Sequence, residues 1–221
     1  MSEPIYLEQG TRRVFACSLA WPGWCRVGRN EDAAIDALAA YAGRYAVVAE
    51  EAGVQFSPGN PETPPAGLFT VIEHVAGSST TEFGVPDAVP NADAEPLTVA
   101  ASAGLADLVA ASWRVFERVV ANAPARLRKG PRGGGRDRDQ IVEHVAQAER
   151  SYARKLGVRY TPTQFAQPGG QDAMRGDLLT VLRGAHDAEP MTEKGWPPRY
   201  AARRIAWHVL DHLWEIEDKS T

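Results

Sequence analysis

Cysteine is nearly absent from this chain of 221 residues, which has two. Cys17 and Cys25 flank a WPGW turn and make neither a CxxC metal knuckle nor a disulfide framework. They read as small buried hydrophobes in a reducing compartment. No apolar run approaches the roughly 20 residues that cross a bilayer. The opening MSEPIYLEQGTRRV lacks the basic-then-apolar layout of a secretory leader. The expectation is a cytoplasmic protein with no membrane partner. A surplus of positive charge is missing too: the net charge is -4, and arginines alternate with acids. Nucleic acid is therefore not an expected partner.

Several catalytic signatures are also absent. GPRGGGR follows no strand and lacks a GK[ST] ending, so it is no phosphate loop. There is no GxSxG elbow, and HVLDH is not the HExxH of a metalloprotease. What remains is an ordinary globular balance of 44% hydrophobic and 24% charged residues.

The pattern of that remainder implies an α+β fold, with a small N-terminal α+β domain over 1–90 and a C-terminal four-helix bundle over 91–221. RRVFACSLAWPGWCRVG reads as two strands broken by Pro22-Gly23. Asn30 caps a helix with Glu31 and Asp32 in its first turn, a stripe from Ile35 to Ala52, and Gly53 as its stop. SPGNPETPPAG is a proline-rich connector, and LFTVIEHVAG and TTEFGV read as further strands. Apolar residues from Leu105 to Val120 mark a long helix ending before Pro124. Asp137 and Gln140 form a capping box for a second helix, Arg138 to Leu156. A third spans about Asp172 to Ala185, and Pro197-Pro198 lead into a fourth.

His208 and His212 stand one turn apart on that fourth helix, where neighbouring imidazoles can share an ion. Ala201, Ile205, His208, His212 and Glu215 form one stripe, which points both rings inward. Arg204, one turn earlier, disfavours imidazolium at His208. A third ligand must come from another helix. His144 qualifies, on the stripe of Ile141, Val145, Ala148 and Tyr152. By itself it reads as a hydrogen-bonded core histidine; beside the other two it completes a three-nitrogen site with an open position. His74 reads as a sheet-face residue, and His186 as an exposed helix C-terminal residue. Glu143 and Glu149 fall off the stripe and read as solvated. Asp211 and Glu215 each lie three residues from a histidine and can orient a ring, with Glu215 the candidate catalytic acceptor. Trp196, Tyr200 and Trp207 read as core and loop packing.

One histidine in IVEHVAQAE and two in RRIAWHVLDHLWEIED, on the second and fourth helices of a bundle, resemble the DinB-like superfamily from about Glu95 onward. That resemblance implies a divalent ion on His144, His208 and His212, with Zn²⁺ expected and Ni, Fe or Mn as alternatives. It also implies a transferase or isomerase that uses a low-molecular-weight thiol, with an electrophilic small molecule as its other partner. FACSLAWPGWCRVGRNEDAAIDAL is similar to a HicB-like fold, and with no DNA-binding motif appended it implies an accessory domain that covers the bundle or forms a homodimer contact. Two other readings stay open: a hydrolase using water at the same position with Glu215 as proton acceptor, and a non-catalytic interaction protein braced by its metal.

Overall fold

A computed structural model describes residues 2–58, 65–130, 133–184 and 188–220. In chain order the elements are β1 Glu3–Gln9, β2 Val14–Ser18, β3 Cys25–Gly28, α1 Glu31–Ala40, α2 Ala42–Glu51, α3 Pro65–Leu68, β4 Phe69–Ala76 and α4 Ser79–Phe83. The helical part follows with α5 Val99–Asn122, α6 Arg138–Ala153, α7 Pro162–Phe165, α8 Gly170–Gly184 and α9 Pro198–Lys219. The fold is mixed: a four-stranded sheet lies near the N-terminus and helices dominate the remainder.

The sheet runs β3-β2-β1-β4, antiparallel except for the parallel β1–β4 pair. Side chains alternate between faces along a strand, and in β1 and β2 both faces are covered, while β4 leaves one face exposed. Ile5, Leu7, Val14 and Ala16 pack with Ala34 and Leu38 of α1. Tyr6, Phe15, Cys17 and Cys25 turn the other way, onto Trp207 of α9. The apolar core continues from the first face into the helices, through Tyr45, Val109, Val115, Met174, Ile205 and Leu210 among others. Gly23, in the β2–β3 turn, has φ +88°, and an added Cβ would lie 2.9 Å from the Ala206 backbone. Glycine lets this turn press directly on α9.

Four expectations need correcting. TTEFGV is helical, because Ser78 accepts from the Thr80 amide while Thr81 Oγ1 accepts from the Ser78 amide, and Gly84 closes the turn at φ +96°. Thr81, a residue type that favours strands, acts here as the capping-box partner of Ser78. The helix from Asn30 is capped by that residue's side chain, but it breaks at Tyr41. That residue's amide turns to the Leu38 carbonyl, and its ring meets Trp214 at 4.9 Å. Strand β1 was not apparent in the sequence at all. Finally, α5 contains a window long and apolar enough, by length and composition alone, to cross a bilayer; half of that window is buried in the protein. Its alanines dilute the apolarity, which is why no continuous run stands out.

The helix starts are clear in local chemistry. Thr98 caps α5, Asp137 and Gln140 make the expected capping box on α6, and Pro198 opens α9. α9 is buried on nearly every side, between the sheet, α5 and α6. Its Arg203 is buried as well and grips Asp93 through both guanidinium nitrogens.

Candidate metal centre

The α6 stripe that carries Ile141 and Val145 into the core also turns His144 toward α9. On α9 the one-turn spacing stacks His208 and His212 on the face that meets it. The three rings close into a triangle, with centroids 5.1, 4.9 and 4.7 Å apart. One nitrogen of each lies within 4.8 Å of the others, and His144 Nε2 stands 3.3 Å from His208 Nε2. That spacing nearly matches the N–N edge of about 3.4 Å around a tetrahedral ion with bonds of about 2.1 Å.

The electrostatics suit neutral imidazoles. Burial, followed by the charges of His212, His144 and Arg204, pushes His208 down to about 2. His144 is lowered by burial, then by His212 and Arg136. Both rings therefore keep a bare nitrogen at neutral pH, the form that binds a cation. The Nδ1 of His212 lies 2.7 Å from Glu215 Oε2. Glu215 is pushed down to about 2, first by its bond to His212 and further by Lys219. An ionised carboxylate only accepts, so the Nδ1 of His212 is the donor of this bond. The Nδ1 of His208 is buried with no protein partner, and packing orients its ring: Tyr152 lies edge-on at 5.6 Å, and Trp207 at 6.2 Å.

The acids divide differently from the sequence expectation. Glu215 sits behind His212, where it orients the ring. Asp211 turns away and pairs with Arg26 at 3.1 Å; burial, the largest influence, raises its carboxyl. Glu143 is exposed as expected, but Glu149 is fully buried. Its carboxylate receives two guanidinium nitrogens of Arg175 at 3.0 Å each, and Gln171 at 3.0 Å. The off-stripe position points to α8 rather than to water. His74 is half-exposed, 3.5 Å from Glu31, and His186 lies outside the described residues. Trp196, Tyr200 and Tyr152 pack ring on ring near His208.

Sequence reasoning missed Lys219 and Arg136. Lys219 is four residues from Glu215 on one helix face, a spacing that was there to be read. Arg136 reaches the cluster from the loop before α6, for which the sequence carries no signal.

Comparison with family models, curated proteins and solved structures finds no match for this chain.

Proposed function

We propose that this protein is a metal-dependent enzyme that transfers a low-molecular-weight thiol to an electrophilic small molecule. In this reading α5, α6, α8 and α9 form a DinB-like four-helix bundle, and the N-terminal unit is its accessory domain. The observation that carries the reading is the 3.3 Å approach of His144 Nε2 to His208 Nε2 across two helices. A buried and a half-buried imidazole held that close, both neutral, gain most from a shared cation. The donor set of three nitrogens fits Zn²⁺ with a position left open. When bound, such an ion supplies the charge that lets a thiol lose its proton at neutral pH.

The protein's own groups do the rest. His144, His208 and His212 hold the centre, and Glu215 fixes the His212 tautomer. Tyr152 and Trp207 wall off His208 from bulk water. Arg136 and Arg204 add positive potential around the rings, which favours an anionic nucleophile over its protonated form. Hydrolysis is less well served: Glu215 is engaged by His212 and Lys219, which leaves it a poor proton acceptor. A purely structural ion is also less well served, because among the described residues no carboxylate joins the three imidazoles as a fourth ligand.

Elemental analysis of native protein and His144→Ala tests the centre. The expected result is about one ion per chain in the native protein and loss of it in the variant. Equal trace metal in both would end the proposal. Thermal-shift measurement with simple thiols then tests the reaction class. Stabilisation that vanishes on metal removal supports transfer, and stabilisation by none of them counts against it.

A further inference from the structure

Cys17 and Cys25 are partners in the β2–β3 register. Beside them Ser18 donates its amide to the Trp24 carbonyl at 3.0 Å, closing the hairpin ladder. Antiparallel pairs alternate, and the pair next to a bonded one has its Cα atoms closer, at about 4.5 Å. A disulfide accepts Cα separations from about 4.4 Å upward. The two sulfurs stand 2.8 Å apart, inside the contact distance of about 3.5 Å between unbonded heavy atoms. Closing an S–S bond there requires little backbone movement.

We infer that Cys17 and Cys25 are a redox modification site, an intrachain dithiol that a peroxide closes reversibly into a cross-strand disulfide. Both residues are buried beneath Tyr6, Phe15 and Trp207. Both also line a void of about 20 Å³ with Arg203 and Tyr6 in its wall. That volume accepts roughly one water-sized molecule, a scale that suits the smallest oxidants and leaves no room for a bulky organic disulfide.

Cys25 is the second sulfur to react: its Sγ stands 2.8 Å from that of Cys17, within reach of a sulfenic sulfur there, and burial pushes its thiol well up. Cys17 loses its proton, and its thiolate attacks one peroxide oxygen. The O–O bond breaks, and the departing hydroxide takes up a proton to become water. The sulfur of Cys25 then attacks the sulfenic sulfur of Cys17; the S–O bond breaks and a second water leaves, carrying the Cys25 proton. One peroxide is reduced by two electrons, and two thiols become one disulfide.

The test uses the folded, fully reduced chain, treated with equimolar hydrogen peroxide and read by intact mass and peptide mapping. The expected product has lost two hydrogens, carries both cysteines in one linked peptide, and reverts with a dithiol reductant. Cys25→Ser should halt the reaction at a sulfenic acid on Cys17 that dimedone traps. Full alkylation of both cysteines when the treated native protein is later unfolded would overturn the inference. Linkage between chains instead of within one would do the same. The wild-type measurement needs no variant, so a Cys25→Ser chain that fails to fold leaves the test intact.

Discussion

A carboxylate behind a ligating imidazole sets which nitrogen stays bare and how basic it is. Glu215→Gln keeps the shape but removes the charge that His212 leans on. Zinc affinity, measured by competition with a chromogenic chelator, should fall about tenfold to a hundredfold. An unchanged affinity would mean that Glu215 plays no part in orienting the ring. Glu149 poses a different problem. It is an acid with almost no exposure, held by Arg175, and removing its charge costs about 1–3 kcal/mol, since Arg175 stays buried but keeps Glu117 as a second carboxylate partner. Glu149→Gln should lose about that much in urea unfolding, whereas Glu149→Leu with Arg175→Met should recover most of it. Equal losses in the two would place the cost in packing instead. The histidine cluster was legible because three residues kept helical phase with apolar neighbours. The role of Glu149 was not, since an off-stripe acid makes sense only once its cation on α8 is known.

Elements were legible wherever one face is apolar and the ends carry capping chemistry, so the spans of α5, α6, α8 and α9 lie within a few residues of the sequence reading. Strand β1 escaped because both of its faces are buried; EPIYLEQ shows no clean alternation, and its charged Glu3 and Glu8 are themselves buried. The TTEFGV misreading came from a β-branched residue, Thr81, whose hydroxyl caps the helix together with Ser78 just before the stretch. Turn geometry yields a prediction at this scale. Gly23 combines a positive φ with backbone contact to α9, so Gly23→Ala meets both torsional strain and overlap with Ala206 and Leu210. A destabilisation of about 2 kcal/mol or more is expected from the urea midpoint. A midpoint matching wild type would show that the turn does not bear on α9.

Over the whole molecule, the N-terminal unit is joined to the helical part by packing and by charge. Glu51 at the end of α2 receives Arg114 at 2.7 Å and Arg118 at 2.8 Å from α5. Those hydrogen bonds hold its carboxyl below the ordinary glutamate value of 4.5. A lowered folded-state value means the stabilisation is complete above pH 4.5 and disappears as pH falls through the folded value. Solvent screening limits it to about 1 kcal/mol. Glu51→Gln should therefore lower the melting temperature slightly at pH 7 and by less at pH 3, as read by calorimetry. A constant difference at both values would dismiss the charge contribution.

Helix α9 gives the sheet, α5 and α6 a common surface to lean on, and it is the final element of the described chain. During synthesis, the sheet face of Tyr6 and Phe15 and the apolar sides of α5 and α6 that meet α9 stay uncovered until Pro198 and the residues after it emerge. A ribosome stalled short of that point holds a chain with those apolar surfaces open to its neighbours.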